Sequence, residues 1–300
     1  MTKRQDLVVI GGGPGGLVVA SVAAQLGLRV TLIEKSELLG GDCLHSGCIP
    51  SKTLINAARI AHSARQGAES GLLTTMPAIA FDTAIDEVHR VIGKIQAYDD
   101  PERFRGYGCD VIFGAARFTG PHEITVGEQT LRGRRFVIAT GSRPAIPPIP
   151  LLEQTGFETN ETIFRRRDLP ERLAVIGGGP IGVELSQAFS RLGSQVTIIE
   201  AADRLLIHED EQTSTLIEKA LASEGINIMT AAQVGGVRRE GEYRQVALAD
   251  GRTVECNRIL IATGRRPLVH GLGLEEAGVT FSKHGIEVDR RLRTSQKHIY

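Results

Sequence analysis

The chain has 300 residues, with 35 Lys and Arg balanced by 35 Asp and Glu. A net charge of zero without a basic stripe makes nucleic acid a poor partner, and the length points to about two domains with sizeable cores. The N-terminal Met1-Thr2-Lys3-Arg4-Gln5-Asp6 has no secretory leader pattern and runs into a strand. The apolar run from Leu17 to Leu28 is too short for a bilayer and is broken by Ser21, Gln25 and Gly27. A soluble, cytoplasmic protein is expected. High glycine and low aromatic content fit an α/β nucleotide binder with many tight turns.

In chain order, the β-branched run Leu7–Ile10 reads as a buried parallel strand. Gly11, Gly13 and Gly16 follow, around Pro14 and Gly15, in the G-x-G-x-x-G spacing. The first glycine allows the tight turn, the second lets backbone approach a pyrophosphate, and the third lets helix and strand pack closely. The helix N-terminus then offers free N–H groups to phosphate. A second strand ends in Glu34, placed for a ribose hydroxyl. Helical spacing is expected over Lys52–Gln66 and over Asp82–Ala97, with Asp82 as N-cap. A β-meander is expected over 109–139, through Val111-Ile112-Phe113, Glu123–Val126 and Phe136–Ala139. Pro144, Pro147, Pro148 and Pro150 mark a crossing into a second domain.

There the pattern recurs. Leu173–Glu200 aligns with Leu7–Glu34 at an offset of 166 without a gap, with 14 of 28 positions identical. Gly177, Gly179 and Gly182 repeat the fingerprint around Pro180 and Ile181, and Glu200 repeats the terminal acid. A helix about Asp210–Glu224, a strand Ile226–Met229, a meander Val237–Val254 and a closing strand Ile259–Ala262 follow. Ile259–Gly264 echoes Phe136–Gly141, and Arg265-Arg266-Pro267 marks the return to the first domain. Two copies, each between strand and helix and each ending in an acid, imply an α/β fold of two Rossmann-like dinucleotide-binding domains, each with a parallel sheet and an inserted meander. The expected domains are 1–150, 151–267 and a return segment 268–300. No metal-ligand cluster stands out.

Between the copies lies Gly40-Gly41-Asp42-Cys43-Leu44-His45-Ser46-Gly47-Cys48-Ile49-Pro50-Ser51-Lys52. A structural disulfide rarely closes so small a loop, because the entropy it removes is small. So close a pair in a cysteine-poor chain reads as redox chemistry. Cys109 and Cys256 stand apart and read as small buried or edge residues.

The segment resembles the redox-active disulfide of the pyridine nucleotide-disulfide oxidoreductases, the flavoenzyme family of dihydrolipoamide dehydrogenase, glutathione reductase and mercuric reductase. The resemblance implies FAD in the first domain and NAD(P)H in the second. It makes Cys43 the sulfur that exchanges with substrate and Cys48 the sulfur that contacts the flavin. It makes Lys52 the cation at the flavin N5 edge, paired with Glu184, whose counterpart in the first copy is Val18. Lys35, Gly40, Gly41, Asp42, Ala115, Ala139, Thr140, Gly141, Val234 and Gly264 complete the set expected to line the two cofactors. Glu200, followed by Ala201 and Ala202 with Arg204 balanced by Asp203, favours NADH over NADPH.

Three features depart from the family pattern. Asp42 stands where Thr is usual, and its charge, if retained, should raise the Cys43 pKa. His45-Ser46 replaces an Asn-Val-like pair; His45 is either a proton donor near the sulfurs or, more plainly, an exposed helix-turn histidine. The chain stops at Tyr300, ahead of the Ala-x-Gly-Asp turn and the dimerisation domain that carries the acid-base histidine, so no such histidine is assigned. The expected whole protein is a homodimeric NADH-linked disulfide or dithiol oxidoreductase most like dihydrolipoamide dehydrogenase, with a mercuric reductase-like enzyme or an inactive nucleotide-binding fragment as alternatives. The 300 residues alone are expected to hold FAD weakly and not to turn over lipoamide.

Overall fold

The computed structural model describes residues 4–76 and 78–300. Met1–Lys3, where the leader-free reading begins, and Pro77 lie outside the described residues. In chain order the first half contains β1 (Gln5–Ile10), α1 (Pro14–Gln25), β2 (Val30–Glu34), α2 (Gly41–His45), α3 (Cys48–Glu69), α4 (Phe81–Gln96), α5 (Pro101–Gly106), β3 (Cys109–Phe113), β4 (Ala116–Gly120), β5 (Glu123–Val126), β6 (Gln129–Ile138) and β7 (Ser142–Pro144). The second half contains α6 (Leu152–Thr155), β8 (Arg172–Ile176), α7 (Pro180–Leu192), β9 (Gln195–Ile199), α8 (Glu211–Ser223), β10 (Asn227–Met229), β11 (Val234–Glu240), β12 (Tyr243–Leu248), β13 (Thr253–Cys256), β14 (Arg258–Ile261) and β15 (Arg265–Pro267). No described helix is long and apolar enough to cross a membrane.

The chain forms two compact units. The first holds the stretch ending at His45, Ile92–Arg143 and Arg265–Tyr300; the second holds Ser46–Val91 and Pro144–Gly264. In this division residues 46–91 and 144–150 cluster with the second unit, and residues 265–267 with the first.

In the first unit a sheet of order β3-β2-β1-β6-β5-β4 is parallel from β3 to β6 and antiparallel from β6 to β4. Alternation along β1 sends Leu7 and Val9 to one face, packed with Ala20, Ala23 and Leu32, and Val8 and Ile10 to the other. That second face is covered by Phe118, Phe136 and residues of the returning segment, among them Val269, Leu274, Val279 and Ile299. The returning segment also extends the sheet: the Ile138 N–H donates to the Tyr300 carbonyl at 2.8 Å, and the Tyr300 N–H to the Phe136 carbonyl at 2.9 Å. In the second unit β10-β9-β8-β14 is a parallel sheet and β11-β12-β13 an antiparallel meander.

The expected α/β architecture is therefore present, with local differences. β3 is not part of a meander: it lies parallel to β2, and the meander is β4-β5-β6. Val111-Ile112-Phe113 is a short apolar run of the kind parallel strands carry, which alternation alone misplaces. α3 starts at Cys48 instead of Lys52, because Pro50 falls in the first turn, where an N–H would have no helical acceptor. Asp82 sits inside the first turn of α4, its carboxylate accepting from the Thr83 N–H at 2.9 Å. Asp210 is the N-cap of α8, accepting from the Thr213 N–H at 2.8 Å.

The third fingerprint glycines are fixed by packing. A Cβ on Gly16 would overlap the Gly11 carbonyl oxygen, and one on Gly182 the Gly177 carbonyl oxygen, whereas one on Gly15 meets nothing within 4 Å. Gly16→Ala and Gly182→Ala should each lower stability by about 1–3 kcal/mol. Gly15→Ala, in the first turn of a helix, should be neutral or add up to about 1 kcal/mol. Urea unfolding of the three variants checks this; equal effects at Gly15 and Gly16 would contradict the packing account.

Candidate dinucleotide sites and the cysteine segment

In the first unit the turn after β1 is shaped by backbone contact. Gly11 has φ +111°, and a Cβ there would overlap the Ala139 carbonyl oxygen. The Gly12 N–H donates to Glu34 Oε2 at 2.6 Å, and the Ser36 N–H to Glu34 Oε1 at 2.8 Å. The carboxylate is buried and made of charge-assisted bonds, which are the stronger kind. Gly13 is the N-cap of α1 and has no side chain to satisfy the first-turn N–H groups; Pro14 is the first helical residue. This leaves a helix N-terminus of the type that binds anions. The Gly40 N–H donates to the Gly12 carbonyl at 2.8 Å, and a Cβ on Gly41 would stand 2.6 Å from Gly13 Cα. The glycine pair ahead of Cys43 thus lies directly against the nucleotide turn. Thr140 Oγ1 donates to the Leu268 carbonyl at 3.0 Å, and the Gly141 carbonyl accepts from the Leu268 N–H at 3.0 Å. Lys35 and Ala115 are exposed at the ends of β2 and β3.

The second unit repeats this arrangement. Gly177 has φ +115°, against the Ala262 carbonyl. The Gly178 N–H donates to Glu200 Oε2 at 2.5 Å and the Ala202 N–H to Glu200 Oε1 at 2.8 Å. Gly179 is the N-cap of α7, again without a side-chain cap, and a Cβ there would meet nothing within 4 Å. Protein packing therefore does not require glycine at 179, while a closely approaching pyrophosphate would. On that ground the residues fit a dinucleotide. Pro180 and Ile181 open α7. Val234 is half-buried at the start of β11, and the Gly264 carbonyl accepts from the Ala145 N–H at 2.9 Å. Arg204 is committed elsewhere, its guanidinium donating to the carbonyls of Leu206, Ile207 and Glu209 at 3.0–3.3 Å.

Lys52 on α3 and Glu184 on α7 meet, Nζ to Oε2, at 2.5 Å. Their side chains are 59% and 44% exposed, so the pair adds only about 0–1 kcal/mol of stability.

Cys43 is half-buried inside the five-residue α2, and Cys48, exposed, is the first residue of α3. Cys43 thus lies in the first turn of α2 and Cys48 at the first position of α3. Asp42 forms an ion pair with Arg265 at 2.9 Å. Arg265 also donates to Ser142 Oγ and to the Ser142 carbonyl, each at 2.8 Å. The charge beside Cys43 is thus countered by a residue that sequence reasoning treated only as a boundary marker. His45 Nε2 lies 3.0 Å from the Leu39 carbonyl and the ring is half-buried, so it is not a freely exposed turn histidine. Cys109 and Cys256 are buried. Burial pushes the Cys109 thiol up, with the Asp110 charge adding to it, and pushes Cys256 up to about 11. Among the described residues no group of His, Cys, Asp and Glu is placed to hold a metal.

A family model described as pyridine nucleotide-disulphide oxidoreductase matches residues 5–300. The chain belongs to this family. Among its relatives, the dihydrolipoyl dehydrogenase of Thermus scotoductus is 38% identical over 99% of this chain and 65% of its own length. A mercuric reductase of Streptomyces lividans is 37% identical over 98% of this chain and 64% of its own length. The solved structure of the HOCl-induced flavoprotein disulfide reductase RclA from Escherichia coli superposes with a TM-score of 0.86 at 31% identity, over 98% of this chain and 65% of that one. The chain therefore spans about two thirds or less of these proteins. The family model and the superposition both agree with the Rossmann-like α/β fold of the chain.

The four cysteines should differ in reactivity. After reduction with dithiothreitol, iodoacetamide at pH 8 should label Cys43 and Cys48 and spare Cys109 and Cys256, which are buried with raised thiol pKa values. Peptide mass mapping reads the pattern; rapid labelling of Cys256 in the folded protein would contradict its burial.

Proposed function

We propose that the whole protein is an FAD-dependent oxidoreductase that passes electrons between NADH and a disulfide or dithiol substrate through Cys43 and Cys48, most like dihydrolipoyl dehydrogenase. The observation that carries this reading is the contact of Gly40 and Gly41 with Gly12 and Gly13, which joins the Cys43 segment to a dinucleotide turn. Gly11, Gly13, Glu34 and the α1 N-terminus would hold FAD; Gly177, Gly179, Glu200 and the α7 N-terminus would hold the nicotinamide nucleotide. When bound, FAD supplies two-electron exchange between nicotinamide and sulfur. In dithiol oxidation one substrate thiolate attacks Cys43 Sγ, the Cys43–Cys48 bond breaks, and Cys48 leaves as thiolate. The second substrate thiolate then displaces Cys43, so the substrate leaves as a disulfide and the pair holds two electrons. Lys52 supplies a fixed cation oriented by Glu184. Arg265 offsets the charge that Asp42 would otherwise place beside the Cys43 thiolate.

Glu200 supports NADH as the nucleotide. Its carboxylate is anchored by Gly178 and Ala202, and Arg204 is spent on loop carbonyls. A 2′-phosphate would therefore meet an anion without a waiting cation. We place the protein in the cytoplasm as a homodimer, in keeping with the neutral, redox-poised composition and the family resemblance. Mercuric reductases are also among the relatives, which makes mercuric ion the alternative substrate.

NADH should be used with kcat/KM about ten- to a hundredfold above NADPH. Stopped-flow reduction of the FAD-loaded protein by each nucleotide measures this. Equal values, or a preference for NADPH, would overturn the nucleotide assignment. Cys48→Ser should stop NADH-driven reduction of disulfide substrate while leaving NADH affinity unchanged.

A further inference from the structure

In the second unit, away from the nucleotide turn, an open cavity of about 500 Å³ is lined by Arg166, Arg239, Arg244 and Arg258 and by Glu158 and Glu242. The four arginines come from the loop before β8, from β11, from β12 and from the start of β14. Arg239 and Arg244 are direct cross-strand partners in the β11–β12 ladder. Like charges so opposed destabilise a sheet, and among the described residues neither forms an ion pair with a carboxylate. Arg239 Nε donates to the Gly241 carbonyl. Arg244 Nε donates to the carbonyls of Thr155 and Gly156 and its Nη1 to that of Asn257, which among the described residues leaves Nη2 without a hydrogen bond.

The other two arginines are matched by two carboxylates. Arg166 bonds Glu158 at 2.8 Å and Asp168 at 2.6 Å, and Arg258 reaches the same Asp168 at 3.1 Å. One carboxylate thus serves two guanidinium groups. The Nε atoms of both Arg166 and Arg258 are buried and without a hydrogen-bond partner. Burial first, and then the charges of Arg258, Arg239 and Arg166, push Arg244 below the ordinary arginine range. Four guanidinium groups stand against the three carboxylates of Glu158, Asp168 and Glu242, and among the described residues Arg239 and Arg244 form no ion pair, so the cavity keeps an excess of positive charge suited to an anion.

We infer that this cavity is a binding site for a small multivalent anion bearing phosphate or carboxylate groups. Arg258 pairs with Leu173, four residues before Gly177, which sets the cavity roughly 13 Å along the strand from the nucleotide turn. The anion site and the nucleotide site can be filled together. The volume suits a small molecule, and the confinement of the charge to four side chains within a cavity distinguishes it from a broad nucleic-acid face.

The test is isothermal titration of the protein with inorganic phosphate and, separately, with citrate, at low ionic strength where screening is weak. Saturable binding of at least one probe is expected. Arg239→Gln, at an exposed position that should not disturb the fold, should weaken it at least ~10-fold, as should Arg244→Lys, which keeps the charge but loses the guanidinium fork. The stronger probe identifies the anionic group. Arg238→Gln is the control: its guanidinium already bonds Gln245 and Glu240, so binding should be unchanged. Phosphate binding unaffected by Arg239→Gln would place the anion at a nucleotide turn instead and overturn the inference, as would equal weakening by Arg238→Gln or no saturable binding of either probe. Thermal unfolding of each variant separates loss of the site from loss of the fold.

Discussion

Each half of this molecule depends on a carboxylate that ties the end of one strand to the glycine turn of its neighbour. Glu34 accepts the Gly12 N–H, and Glu200 accepts the Gly178 N–H. These bonds hold the turn where Gly11 or Gly177 can press against a neighbouring carbonyl and where Gly16 or Gly182 can bring the helix onto the strand. The helix N-terminus then stands at the end of the sheet with donors unspent. An ionised carboxylate has about four acceptor positions. The backbone uses one on each oxygen, so a ribose hydroxyl can still be accepted without breaking the turn. One side chain can thus serve both fold and ligand.

The correspondence between the copies extends beyond the fingerprint. Leu39 packs over Gly12 as Leu205 packs over Gly178, and the N–H of Gly40 or Leu206 donates to the carbonyl of the middle glycine in each. The copies diverge where their tasks would differ. After Gly40 the first copy turns through Gly41 into Cys43. The second passes through Leu206, at φ +51°, into a loop whose carbonyls Arg204 holds. Val18 is exposed on α1, while its counterpart Glu184 on α7 pairs with Lys52. A duplicated scaffold with substitutions at such points can bind two dinucleotides and still distinguish their roles.

What was legible in the sequence was local. The fingerprints, the paired acids and the 166-residue repeat need only neighbouring residues and a periodicity, and so their places at the turns and strand ends read correctly. Contacts between distant segments were less accessible. Asp42 read as a threat to the Cys43 thiolate because its partner, Arg265, lies at the far side of the second copy. The Lys52–Glu184 meeting was anticipated only through family resemblance, since spacing cannot say that α3 packs on α7. β3 was misplaced because a short apolar run has no periodicity to tell a parallel strand from a meander strand. The arginine cavity was not legible, because its four cations come from separate segments and each alone reads as surface charge.

The central claim is that two similar turns bind two different dinucleotides. The direct test is calorimetric titration of FAD and of NADH into Gly13→Val and Gly179→Val variants. The account predicts a double dissociation: Gly13→Val loses FAD affinity and keeps NADH, and Gly179→Val does the reverse. Loss of both ligands in either correctly folded variant, or of neither, would contradict it.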